Sequence, residues 1–172
     1  MSMFPIATAQ GNGSSAIFFN NIPQNFTHLQ IRILGRGGTS STSSNLYHNI
    51  NAGGSTYSNH QLYGNGSSAG SSYNTALLYL FFGTAFPAAS STANIMGAFI
   101  IDWLDYTNTN KYKTCRVLGG NDQNGSGLVQ LSSGLIQTTG AITSFFVDTE
   151  GSFTTTTTVQ LYGIQSSPTT GA

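Results

Sequence analysis

The chain has 172 residues, enough for one domain that buries about 70% of its unfolded surface, and its single Cys115 cannot form an internal bridge. Five Lys and Arg against five Asp and Glu give zero net charge and only 6% charged residues, which excludes the basic footprint of a nucleic-acid binder. No apolar run approaches the roughly 18 residues of a membrane span, and the first nine residues lack the basic and apolar regions of a signal peptide.

Ser, Thr, Asn and Gly fill the connecting segments, so the expected surface is polar and nearly uncharged. Such tracts often belong to disordered chains, but 38% hydrophobic and 12% aromatic residues supply a core. A surface with so little charge also favours contact between copies.

Short apolar or alternating runs recur between Gly, Asn and Ser clusters, and none keeps a helical period for three turns. Residues 1–13 read as an N-terminal arm. A first strand is expected at 16–20, then a turn at Asn21-Ile22-Pro23-Gln24. Residues 28–34 alternate, with Leu29, Ile31 and Ile33 on a core face and His28, Gln30 and Arg32 opposite. A loop at 35–45 precedes strands at 46–51 and 57–63. The hexapeptide Gly-Asn-Gly-Ser-Ser-Ala at 11–16 and again at 64–69 is shared turn chemistry, because its flanks do not repeat.

Residues 76–82 and 93–104 are continuous apolar runs, suited to strands buried on both sides or placed at a subunit contact. The segment 102–116 holds five of the ten charges (Asp102, Asp105, Lys111, Lys113 and Arg116), beside the only Trp and the only Cys. It reads as a structural hairpin with ion pairs across a Thr-Asn turn at 107–110. Residues 111–118 form its return strand and 121–127 the next turn. Strands at 128–131, 141–148 and 154–164 follow, the last favoured by β-branched threonines, and 165–172 is a tail. About ten short strands at this spacing predict one all-β domain over 1–172, a β-sandwich of jelly-roll or Greek-key kind.

Asp102 and Asp105 stand three apart, so on a strand they point to opposite faces and make a poor acid and base pair. Trp103, inside an apolar run, is expected in the core. Residues 121–127 faintly resemble a calcium loop but lack the closing Glu. His28, His48 and His60 have no metal-ligand spacing and read as neutral imidazoles at a surface or interface. No Gly-x-Ser-x-Gly elbow occurs. The residues therefore imply no enzyme, no cofactor and no metal. Tyr47, Tyr57, Tyr63 and Tyr73 are the candidates for an exposed surface that binds glycan or a partner.

Several stretches together resemble small virion proteins of tailed bacteriophages, especially those of aquatic bacteria including cyanobacteria. They are Asn21-Ile22-Pro23-Gln24 leading into His28-Leu29-Gln30-Ile31-Arg32, Leu62-Tyr63-Gly64-Asn65-Gly66-Ser67-Ser68, the segment 101–116, Asn121 to Gly127, and Leu161-Tyr162-Gly163-Ile164. The most specific run is Asp105-Tyr-Thr-Asn-Thr-Asn-Lys-Tyr-Lys-Thr. The likeness covers roughly residues 14–164. It implies a non-enzymatic virion structural protein on the particle exterior, made in the host cytoplasm. The expected role is capsid decoration or cement, as a homotrimer bound to the major capsid protein. A tail fibre or receptor-binding module that contacts tail proteins and recognises a host surface glycan is the alternative.

Overall fold

The computed structural model describes residues 2–51 and 56–166, and these contain strands and turns but no helix. In chain order the strands are β1 (Ser2–Gln10), β2 (Ala16–Phe19), β3 (His28–Gly35), β4 (Ser43–Ser44), β5 (Leu46–Ile50), β6 (Tyr57–Gly64) and β7 (Ala69–Leu77). They continue as β8 (Leu80–Phe81), β9 (Phe86–Pro87), β10 (Gly97–Leu104), β11 (Lys113–Asp122), β12 (Gly127–Ile136), β13 (Phe145–Thr149) and β14 (Thr158–Gln165).

An eight-stranded sheet runs β1-β14-β3-β10-β11-β12-β6-β7, a four-stranded sheet runs β2-β13-β5-β8, and β4 and β9 form a small ribbon. Setting aside that ribbon and the hairpins β6–β7 and β11–β12 leaves eight strands. Numbered along the chain, these are ordered 1-8-3-6 in one sheet and 2-7-4-5 in the other. This is a jelly roll, two antiparallel sheets wound from Greek keys. The hairpin β6–β7 is inserted between the fourth and fifth of those strands and β11–β12 between the sixth and seventh. Because β12 pairs with β6, both insertions widen the same sheet.

The core lies between the sheets, and strand alternation fills it. Leu29, Ile31 and Ile33 from β3, Phe99, Ile101 and Trp103 from β10, and Cys115 and Val117 from β11 face Ile17, Leu46, Ile50, Leu80, Phe145 and Val147 of the smaller sheet. The inward side of Gly119 is occupied by the Phe99 ring, which would lie 2.1 Å from an added Cβ, so no larger residue fits there. Burial also pushes the Cys115 thiol pKa up, leaving it an inert packing residue.

At the centre of the core sits a polar group. Trp103 Nε1 donates to His48 Nε2 at 3.0 Å, linking β10 of the large sheet to β5 of the small one. His48 also packs against the rings of Phe82 and Phe145, with centroids 5.9 and 5.3 Å away. It is therefore a core residue and not the surface imidazole that its sequence context suggests; the β5 alternation turns it inward. Its Nδ1 completes no hydrogen bond of full geometry.

Other boundaries move for physical reasons. Residues 2–10, expected as part of an arm, form an edge strand on β14, with a register shift between Pro5 and Ala7. Proline is tolerated at an edge because no inward donor is needed. The apolar run 76–82 is divided: Ala76 adopts φ 55°, Leu78 is exposed, and the chain crosses from the large sheet to β8 of the small one. The threonine run starts its strand only at Thr158, because Thr157 N closes a turn on Thr154 O at 3.0 Å. Of the expected tail 165–172, Gln165 ends β14 and Ser166 bonds Thr27, while 167–172 lie outside the described residues.

Burial drives the His48 pKa from 6.5 to about 3, opposed in part by the Phe146 backbone. The folded state then binds fewer protons than the unfolded one between those values, so stability is full above pH 6.5 and falls as pH drops toward 3. Denaturant unfolding between pH 6 and pH 4 should show a loss of about 1.4 kcal/mol per pH unit from this group. His48→Gln, which keeps an acceptor for Trp103, should remove that slope.

Candidate functional site

The inward set of the large sheet fixes, by alternation, an outward set, and on four adjacent strands one row of that set is aliphatic. The registers align Ile100 with Leu118, Leu118 with Leu131, and Leu131 with Leu62. The row crosses β10, β11, β12 and β6, and its members are between 38% and 61% exposed. One step along the strands, Leu34 and Val129 flank a floor of Ala98 and Gly120. The Asn65–Ser68 and Gln123–Ser126 turns wall that end, enclosing an open trough of about 1230 Å³.

The row on the other side is polar, and Arg32, which continues the aliphatic row onto β3, reaches toward it. Arg32 lies 5.1 Å from the Tyr162 ring centroid, and its Nε donates to Gln30 Oε1 at 2.8 Å. Gln30 Nε2 in turn donates to Asp102 Oδ1 at 2.8 Å. Asp102 and Arg116 are cross-strand partners, yet no ion pair joins them, and among the described residues Arg116 has no hydrogen-bond acceptor. Two cations (Arg32 and Arg116) and two anions (Asp102 and Asp122) alternate on a face with no net charge.

The β10–β11 hairpin exists, and of the ion pairs expected across its turn Asp105–Lys111 forms while Asp102 and Arg116 do not pair. Its connection is eight residues long, from Asp105 to Tyr112; Asp105 pairs with Lys111, and His28 Nδ1 lies 3.5 Å from the same carboxylate. The Lys111 hydrogen bond holds the Asp105 carboxyl below its usual range. Lys113 faces the interior. Its buried ammonium donates to the carbonyls of Asn108, Lys111 (3.4 Å) and Thr139 (3.2 Å) and lacks a carboxylate partner. Burial lowers its pKa accordingly. Arg36 acts in a similar way, donating to the carbonyls of Ala89, Ser91, Thr92 and Ile95 at 2.6–3.3 Å and shaping the loop before β10.

The four candidate tyrosines are not brought together. Tyr57 is fully buried, because β6 turns Tyr57, Asn59 and Gln61 inward; its hydroxyl donates to Asn49 and accepts from the Ile50 amide at 3.4 Å, so it cannot meet a ligand. Tyr47 is half-buried on the smaller sheet, edge-on to Tyr79 and bonded to Glu150. Tyr73 is 68% exposed and stacks on His60 at 5.7 Å, and Tyr63 covers Gly70 on the same hairpin. Leu34, Leu62, Leu118, Val129 and Leu131 were not singled out in sequence. Their signal is the second apolar phase of runs already assigned an inward phase.

Among the described residues no group of three or more His, Cys, Asp or Glu is placed to hold a metal. Comparisons with protein-family models, with curated proteins and with solved structures return no match to this chain.

Replacing Lys113 by Met leaves three carbonyls without their donor and should lower unfolding free energy by about 2–3 kcal/mol. Asp105→Asn keeps a residue that tolerates its φ of 48° and loses only an exposed pair, so it should cost under about 1 kcal/mol. Equilibrium urea unfolding of both variants measures the contrast.

Proposed function

We propose that the chain is a non-enzymatic structural protein on the exterior of a tailed-bacteriophage particle, acting as a capsid decoration or cement protein. The observation that carries the reading is the aliphatic outer face of the large sheet. A jelly roll that leaves such a row in water is suited to work by surface contact, since a contiguous apolar row rimmed by polar residues marks an interaction site. The resemblance of residues 14–164 to small virion proteins supplies the setting. The partners on this reading are the major capsid protein and further copies of the chain, as a homotrimer.

The experiment is localisation. Particles of the parent phage, imaged by electron microscopy with labelled antibody, should carry the chain over the capsid surface, and added purified protein should raise the temperature at which particles depleted of it release DNA. Label confined to the tail, or no label on particles, overturns the assignment.

Tyr73 stacked on His60 at an exposed hairpin edge favours one second reading, a tail module that binds host surface glycan. On that reading Tyr63→Ala with Tyr73→Ala should abolish glycan-array binding by the purified chain while melting temperature shifts by no more than about 2 °C. An array without hits for the wild-type chain eliminates it.

A further inference from the structure

We propose that the outer face of the large sheet is the surface on which a second copy of this chain docks, with Arg116 of each copy seated against Asp102 of its neighbour. The inference rests on reading this face as a contact surface, but not on the particle to which the chain belongs.

Three observations select a second copy over an unrelated partner. The first is charge. The face holds Arg32 and Arg116 against Asp102 and Asp122, and the whole chain is neutral, so neither an acidic nor a basic partner is favoured and like copies do not repel.

The second is the placement of the unused bonding capacity. Arg116 has no acceptor among the described residues, and Asp102 engages Gln30 through Oδ1. The two stand side by side on β11 and β10, one row from Leu118 and Ile100. Turning a copy over about an axis parallel to the strands, midway between β10 and β11, lays β10 on the neighbour's β11. That places Asp102 over Arg116, Ile100 over Leu118 and Leu34 over Val129, each with its reciprocal. The same operation lays Arg32 over Leu131, where the aliphatic stem of the arginine covers the leucine.

The third is area. Eight strands make seven intervals of about 4.8 Å, and rows 98 to 104 span about 20 Å, so the face projects roughly 670 Å². A standard protein interface takes about 800 Å² from each partner once relief is counted. The aliphatic row begins at the middle of that area, with Ile100 and Leu118 on β10 and β11, where interface cores are most apolar.

Sedimentation of the purified full chain from about 1 to about 100 μM tests this. The wild-type chain should run as a closed oligomer at the upper end. Leu118→Lys combined with Leu131→Lys, both at exposed positions, should give a monomer with unchanged circular dichroism and melting. Asp102→Arg and Arg116→Asp should each weaken association on the order of tenfold. Mixing those two variants restores both cross-copy pairs and should recover the wild-type mass, which an effect confined within one chain would not do.

A wild-type chain that stays monomeric across the range overturns the proposal, as does an oligomer indifferent to Leu118, Leu131 and the charge reversals. A face-dependent dimer upholds the docking surface while removing the homotrimer. A face-dependent oligomer from a chain absent from particles upholds it while removing the virion role.

Discussion

The two sheets are joined at their centre by the hydrogen bond from Trp103 to His48, and the rest of the molecule is arranged around the need to keep that contact dry. The indole comes from β10, the middle of the large sheet, and the imidazole from β5 of the small one. An acceptor buried among Phe82, Phe145 and the indole is tolerable only while it stays neutral. The hydrogen bond therefore fixes which face of β10 turns inward, and so which residues remain outside. Ile100 and Leu104 are exposed and Asp102 half-buried on the outer face because Phe99, Ile101 and Trp103 turn inward. The outer face is the complement of the core, set by the same alternation.

The jelly roll gives that face its width. Four strands of the large sheet belong to the fold itself, and the other four come from two hairpins inserted far apart in sequence that meet where β12 pairs with β6. The aliphatic row runs from the original sheet into the insertions, so it exists only once the long-range pairing is made. Widening one sheet alone leaves it much broader than its partner, and a broad sheet with only one side covered by its own chain carries surface for something else.

Much of the architecture was legible in the sequence. The alternation at 28–34 identified its core face, Trp103 read as core, and turn-bounded short strands gave the all-β sandwich. The charge cluster at 102–116 marked the central hairpin, but it suggested pairing between side chains where the structure uses carbonyls. Three coordinated carbonyls around Lys113 come from residues as distant as Thr139, and nothing local to Lys113 signals them. Tyr57 failed as a surface candidate because the strand expected at 57–63 left its inward phase open, and the phase of β6 buries it. The runs 76–82 and 93–104 were recognised as apolar on both sides, but only register shows which outward residues line up. A sequence gives the phase of each strand and leaves the pairing open.

Lys113 and Arg36 also decide how the molecule responds to its medium. Two of the five basic side chains are saturated by backbone carbonyls, which are dipoles held in place by the fold, not mobile counter-charges. Dissolved salt screens pairs of exposed charges within about 8–10 Å at ordinary ionic strength, but it competes poorly for a cation already enclosed by its own chain. The interior scaffold is thus insulated from brine, while the exposed charges of the outer face remain open to it. A protein so divided keeps its internal bonding across a range of ionic strength, while the charges of its outer face respond to it.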